Sequence, residues 1–113
     1  MALAHPLPDD LVDRIAQRFR VLGEPMRIKL LDRLRTGEVS VLELAESTRT
    51  TQQNVSKHLG VLHRAGIVAR RKQGNFACYA IADDSVFTLC EGACGSVEAR
   101  LRSLRELVAG ASR

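Results

Sequence analysis

Ser40-Val41-Leu42-Glu43-Leu44-Ala45-Glu46-Ser47-Thr48-Arg49-Thr50-Thr51-Gln52-Gln53-Asn54-Val55-Ser56-Lys57-His58-Leu59-Gly60-Val61-Leu62-His63-Arg64-Ala65-Gly66 is the stretch on which the reading of this chain turns. Ser40 precedes a short apolar run, Val41 to Glu46, as a helix N-cap, with Glu43 placed for a capping box. Thr48-Arg49-Thr50 reads as a turn. Thr51 then caps a second helix that carries Val55, Leu59 and Leu62 at helical spacing and ends at Ala65-Gly66. Two short helices joined by a tight turn form a helix-turn-helix pattern.

Downstream the period shortens. Ile67 to Lys72 and Phe76 to Ile81 are β-prone runs around Gln73-Gly74-Asn75, which predicts a hairpin with glycine at the turn. Side chains alternate, so Tyr79 and Ile81 share one face and Phe76, Cys78 and Ala80 the other. Asp83 or Asp84 is placed to cap a last helix running to about Val108. Its apolar residues Phe87, Cys90, Cys94, Val97, Leu101, Leu104 and Val108 advance in alternating steps of three and four, a heptad seam suited to packing on another helix. Gly92 and Gly95 weaken that helix but permit close backbone approach.

Upstream, Asp9 or Asp10 is expected to cap a first helix with Leu11, Ile15, Phe19 and Leu22 on one side, ended by Gly23. Pro25 suits the first turn of a second helix, with Met26, Leu30, Leu31 and Leu34, stopping at Thr36-Gly37. The expected fold is mainly α with a small β-hairpin wing (α+β), a winged helix-turn-helix that forms a homodimer through its first and last helices. Residues 1–8 read as a flexible N-terminal arm, 9–108 as one DNA-binding and dimerisation domain, and 109–113 as a C-terminal tail.

With 113 residues and 45% apolar content, the chain suits one domain with an aliphatic core. There is no Trp, one Tyr and three Phe, which argues against aromatic-lined sugar or base pockets. No apolar run approaches a membrane span and the first residues lack a signal-peptide pattern, so a cytoplasmic location with reduced cysteines is expected. Net charge is +4, and its distribution is more telling. Between Glu46 and Asp83 there is no acidic residue, while Arg49, Lys57, Arg64, Arg70, Arg71 and Lys72 all lie there. A one-signed block within a globular pattern points to a polyanion, and double-stranded DNA is the partner expected.

A helix-turn-helix lays its second helix in the major groove with its N-terminal residues at base edges. Here those are Thr51, Gln52, Gln53, Asn54, Ser56 and Lys57, with His58 following. Gln and Asn can pair bidentately with adenine, and Ser bonds either way. Arg70, Arg71 and Lys72 beside the glycine turn can reach phosphates.

Val21 to Ile81 resembles the ArsR/SmtB family. Leu22-Gly23-Glu24-Pro25-Met26-Arg27-Ile28-Lys29-Leu30-Leu31 is similar to the start of the family's second helix. Asn54-Val55-Ser56-Lys57-His58-Leu59 with Leu62 and Ala65-Gly66-Ile67-Val68 is similar to its recognition helix and exit. Arg71, Gly74 and Tyr79-Ala80-Ile81 resemble its wing. The resemblance implies a homodimer joined by the first and last helices, and an autoregulating operon repressor released by a metal, a metalloid or another inducer. The family's metalloid box places a Cys pair where this chain has Leu42-Glu43-Leu44-Ala45-Glu46, so that site is missing. A second family site uses Asp, His and Glu pairs on the last helix, and no histidine follows His63.

The cysteines remain. Cys90 and Cys94 lie four apart on one helix, so their thiols share a face. They can pack as small apolar side chains, or bind a transition metal or metalloid as thiolates, or be oxidised. Cys78 on the wing is the poorer effector candidate, and His5 in the arm is a single ligand. The expected dimer interface comprises Leu11, Ile15, Phe87, Cys90, Cys94, Val97, Leu101 and Leu104. A thiol-redox enzyme would rest on Cys90 and Cys94 alone, without Cys-x-x-Cys spacing or a β-α-β pattern, and no catalytic constellation is visible. The alternative to a DNA-binding regulator is a winged-helix module that binds protein or RNA without sensing an effector. An apolar recognition helix would favour protein binding, and this one is polar.

Overall fold

The computed structural model describes residues 5–111. Eight elements follow in order: α1 (Asp9–Leu22), α2 (Pro25–Arg33), β1 (Val39–Ser40), α3 (Val41–Thr48), α4 (Gln52–Arg64), β2 (Val68–Gln73), β3 (Phe76–Ile81) and α5 (Ser85–Ala111). They fall into two compact units, one ending at Ala82 and one beginning at Asp83.

The first unit is built around aliphatic side chains presented at helical spacing. Leu30 and Leu34 of the second helix region, Leu44 of α3, and Val55, Leu59 and Leu62 of α4 are fully or almost fully buried, and Ile67 and Val68 close the core below the wing. Capping follows the sequence at α3 and α4: Ser40 Oγ accepts from the Glu43 N–H at 3.2 Å, and Thr51 Oγ1 accepts from the Asn54 N–H at 3.0 Å.

At α1 the expected cap is replaced. The capping position belongs to Pro8, which makes no side-chain hydrogen bond, and Asp9 and Asp10 occupy the first turn instead. Their carboxylates suit the positive end of the helix dipole there. For α2 the cap is Glu24, whose Oε2 accepts from the Arg27 N–H at 3.0 Å. That helix ends at Arg33, short of the expected Thr36-Gly37, because the Leu34 N–H already turns to both Leu30 and Leu31 carbonyls. In the last helix, Asp83 Oδ1 accepts from the Ser85 N–H at 3.0 Å, and α5 continues to Ala111, past the expected Val108.

Helices α3 and α4 end by the same device with different residues. After α4, Gly66 adopts φ +76°, and the Ile67 N–H reaches back to the Leu62 carbonyl at 3.0 Å. After α3, Arg49 adopts φ 57°, and the Thr50 N–H reaches the Ala45 carbonyl at 3.0 Å. Both are left-handed helix terminations that satisfy otherwise orphaned carbonyls. The one at Arg49 ends α3 just before the Thr51 cap of α4.

The hairpin is present, and it is one strand richer than expected. The sheet order is β1-β3-β2, antiparallel, with Val39 opposite Tyr79 and Ser40 opposite Cys78. Across the hairpin, Arg70 pairs with Tyr79, Arg71 with Cys78 and Gln73 with Phe76. As the central strand, β3 buries both Cys78 and Tyr79, although these side chains point to opposite faces. A two-residue strand such as β1 offers too little pattern to be read from sequence.

Candidate nucleic-acid interface

The exposed surface of α4 begins with Gln52, Gln53, Ser56 and Lys57, all in contact with solvent, while Val55, Leu59 and Leu62 anchor the opposite side of the helix. Helical periodicity produces this division: the core stripe recurs every three or four residues, leaving the amides, hydroxyl and ammonium outside. Four of the expected base-reading side chains therefore share one free polar surface.

Three others are engaged within the protein. Thr51 caps the helix, and Asn54 donates from Nδ2 to Thr50 Oγ1 at 3.1 Å, so this pair braces the turn. His58 is buried and faces α2. Its Nδ1 lies 3.2 Å from Arg27 Nη1 and 3.6 Å from Glu24 Oε2. With the guanidinium donating, Nδ1 accepts and the imidazole is neutral. Burial lowers the His58 pKa, and Lys57 and Arg27 lower it further against the opposing pull of Glu24. Arg27 also donates from Nε to the Val21 carbonyl at 2.6 Å. Glu24, Arg27 and His58 thus fasten the start of α2, the end of α1 and the middle of α4 together. Sequence reading quoted Glu24 and Arg27 only as part of a resemblance; their pairing with a residue of α4 has no local signature.

On the wing, Arg70, Arg71 and Lys72 are exposed, at the positions expected for phosphate contacts. They are not equivalent. Alternation puts Arg70 and Lys72 on one face and Arg71 on the other. The Arg71 Nη2 donates to Glu38 Oε1 at 2.7 Å, and this bond raises the Arg71 pKa. Glu38 lies just before β1, two residues from Ser40, and β1 pairing brings it beside the wing. The acid-free block is therefore answered at one cation by a carboxylate from outside it.

The wing also bears on α4 at its far end, where the rings of His63 and Tyr79 meet edge to face with centroids 6.5 Å apart. The cysteines separate into two settings. Cys78 is buried in the sheet, whereas on α5 Cys90 is half-buried and Cys94 exposed. Cys94 Sγ lies 3.8 Å from Glu98 Oε1. Among the described residues no cluster of three or more His, Cys, Asp or Glu side chains could hold a metal within one chain. Two thiols one helical turn apart suit a soft ion better than a hard one. Of the expected interface residues, Leu11, Phe87 and Cys90 are half-buried, and Ile15, Cys94, Val97, Leu101 and Leu104 are exposed.

Such a surface, polar, acid-poor and bordered by cations, can meet phosphates at its rim and base edges at its centre. The likenesses to known proteins agree with it. The helix-turn-helix domain family matches residues 22–71. The HTH-type transcriptional regulator KmtR of Mycobacterium tuberculosis is 37% identical over 81 residues, covering 72% of this chain and 62% of KmtR. A Streptomyces lividans protein named "Probable mercury resistance operon repressor" is 36% identical over 77 residues, covering 68% of this chain and 62% of its own. The chain thus spans a little under two thirds of these two relatives. Among solved structures, Rv0081 of M. tuberculosis superposes with a TM-score of 0.72 at 36% identity, covering 87% of this chain and 98% of that one. The homodimeric winged helix-turn-helix domain Mb0332 of Mycobacterium bovis, described as a possible ArsR-family transcriptional regulator, gives 0.73 at 27% identity, covering 87% and 94%. By fold and by these likenesses, the chain belongs to the ArsR/SmtB family of winged helix-turn-helix transcriptional regulators.

Proposed function

We propose that the chain is a dimeric repressor that binds an inverted-repeat operator and releases it when an effector reaches Cys90 and Cys94. The observation that carries the DNA reading is the free polar surface of α4, where Gln52, Gln53, Ser56 and Lys57 stand together with Arg70 and Lys72 exposed on the wing. Gln53 and Ser56 read base edges in this scheme, and Lys57, Arg70, Arg71 and Lys72 hold phosphates. Thr51, Asn54 and His58 act through the placement of α4.

Homodimerisation through α1 and α5 is supported by the apolar side chains those helices leave in water, and by the homodimeric state of Mb0332. Residues 9–108 then act as one DNA-binding and dimerisation domain between an arm, 1–8, and a tail, 109–113. Residues 1–4 and 112–113 lie outside the described structure. No described helix is long and apolar enough to cross a membrane, which is consistent with a regulator working in the cytoplasm.

The effector reading rests on thiol chemistry. Cys90 and Cys94 would supply two thiolates per chain and four per dimer, a donor set suited to a thiophilic metal ion or As(III). The mercury-resistance repressor among its relatives lends this support. Position on the proposed dimer seam gives the site leverage over the spacing of the two recognition helices, and a coupling of about 1–3 kcal/mol would change DNA affinity roughly 5- to 150-fold.

Selection of duplexes from a random pool tests the reading. Enriched sequences should be two-fold symmetric, with half-site centres about one helical turn apart or a multiple of it. Gln53→Ala or Ser56→Ala should blunt the preference. Titration with Hg(II) or As(III) should release the selected duplex, and a Cys90→Ser/Cys94→Ser protein should bind the duplex and ignore the ion, with Cys78→Ser responding as the parent. An unenriched pool overturns the DNA reading, and a full response in the double variant overturns the effector site.

A further inference from the structure

Two large apolar side chains stand out of place on the polar side of the first unit. On α3 the core stripe is Val41, Leu44 and Ala45, all buried, and Leu42 falls off it with 40% of its surface exposed. At the start of β3, next to the Gly74-Asn75 turn, Phe76 is 56% exposed. Between them lies a notch of about 290 Å³, also lined by Val41, Gln52, Ser56 and Asn75. No lining residue is acidic.

The composition of the notch is specific. One wall is aliphatic and aromatic, and the other carries an amide and a hydroxyl from successive turns of α4. Gln52 and Ser56 are four apart, so they point the same way from the helix. The recognition helix meets the edges of bases in the major groove, and there only one base presents an apolar group, the C5-methyl of thymine. Phosphates border the groove and gain nothing from Leu42 or Phe76. Adenine, paired with that thymine, offers N6 and N7 to an amide such as Gln52.

We propose that the notch formed by Leu42, Phe76, Gln52 and Ser56 is a thymine subsite, in which the two apolar side chains enclose the C5-methyl while Gln52 or Ser56 bonds the neighbouring base edge. The inference rests on the reading of α4 as the recognition helix and adds to it one position of the half-site and the residues that choose its base. Leu42 and Phe76 have no polar atom on their side chains, so a search for hydrogen-bonding residues passes over them.

The methyl can be removed without touching the protein. A duplex selected by the full-length protein from a random pool is resynthesised with single thymines replaced by deoxyuridine, one position at a time and symmetrically in both half-sites, at fixed salt. At one position the wild-type protein should lose about fourfold in affinity per half-site, the worth of one buried methyl, and about fifteenfold for both. At that position Phe76→Ala and Leu42→Ala should bind the thymine and deoxyuridine duplexes alike, and Phe76→Leu should keep the preference. Phe76 is more than half exposed, so Phe76→Ala should melt close to the parent, and Leu42→Ala, truncating a side chain that is 40% exposed, should melt modestly below it while still folding. The proposal is overturned if no deoxyuridine position costs affinity. It is equally overturned if Phe76→Ala weakens both duplexes by the same factor and leaves their ratio unchanged, which would place Phe76 against the sugar-phosphate backbone. A pool that enriches no sequence at all would instead remove the DNA reading, and this inference with it.

Discussion

The core of the unit ending at Ala82 and the later turns of α5 treat apolar side chains in opposite ways. In the first, Leu30, Leu44, Val55, Leu59, Leu62 and Ile67 have no exposed surface. In α5, Val97, Leu101, Leu104, Leu107 and Val108 are between 43% and 69% exposed. Both segments are comparably rich in aliphatic residues, so composition does not separate them. The difference lies in what the chain itself provides to cover them. Four helices and a sheet close on one another in the first unit, whereas a heptad seam on a single helix needs a second helix. The lesson is that α5, like the outer side of α1 with Val12, Ile15 and Phe19 exposed, is written for an assembly, and the core of the first unit for itself.

Truncation separates the two regions most strongly. Leu59→Ala, in the middle of the closed core, should cost about 2–5 kcal/mol of folding stability, read from denaturant melts. Leu107→Ala, 69% exposed, should change stability by less than about 0.5 kcal/mol. Comparable losses at the two positions would show that α5 is covered as fully as the core is.

A charge sharpens the point about assembly. Leu101→Glu places a carboxylate in the proposed seam, and an unpaired charge buried there should weaken the dimer on the order of 100-fold or more. Sedimentation would then show a shift from dimer to monomer, with the helical content of the first unit retained. A wild-type protein that is monomeric at micromolar concentration breaks the dimer reading outright.

The wing supplies a finer contrast, between cations of equal charge. Arg71 is bonded to Glu38 at 2.7 Å, and a phosphate would have to compete with that carboxylate. Arg71→Ala should weaken every duplex and lower the salt slope by about one. Glu38→Gln should strengthen every duplex by about two- to fivefold, because a negative charge near the polyanion disappears and the guanidinium is released. Fluorescence anisotropy over a range of salt concentrations measures both. If Glu38→Gln weakens binding, the carboxylate serves to aim Arg71 at the phosphate instead of withholding it.

These contrasts also mark how far the sequence could be read. The helix-turn-helix, the wing and the long last helix were legible because each repeats a period: Val55, Leu59 and Leu62 along α4, the alternation around Gly74, the steps from Phe87 to Val108. What escaped was non-periodic or brought together by tertiary folding. The turn at Thr48-Arg49-Thr50 was legible, but not its left-handed closure on Arg49, where a glycine would have announced itself. Strand β1 is two residues long. Glu38 meets Arg71 and Glu24 meets His58 across 33 and 34 positions of sequence. In the candidate interface, residue type picked out Gln52, Gln53, Ser56 and Lys57, which are exposed, but also Thr51, Asn54 and His58, whose internal hydrogen bonds it could not foresee.

His58 offers the smallest effect and tests the join between α2 and α4. Burial holds its pKa below the usual histidine value of about 6.5. Arg27 donates to Nδ1, and a proton there would meet that donor directly, although Glu24 stands near enough to soften the penalty. Lys57 on the same helix adds to the repulsion. The unfolded chain therefore takes up this proton at a higher pH than the folded one. Between the two pKa values the unfolded state holds more protons, so stability rises with pH across that window and falls on acidification. Below it both states are protonated and the dependence ends. Glu24, raised by burial but lowered on balance by the Arg27 N–H bond and the nearby His58, titrates in a separate, more acidic window. Melting temperature should accordingly drop modestly as pH is lowered from about 7.5 to 5.5, through the ordinary histidine range. His58→Gln, which keeps an acceptor for Arg27 and cannot gain the proton, should flatten that slope while leaving α4 in place. An unchanged slope in His58→Gln would move the titration to another group, and Arg27 would then be held by Glu24 and the Val21 carbonyl without need of a neutral imidazole.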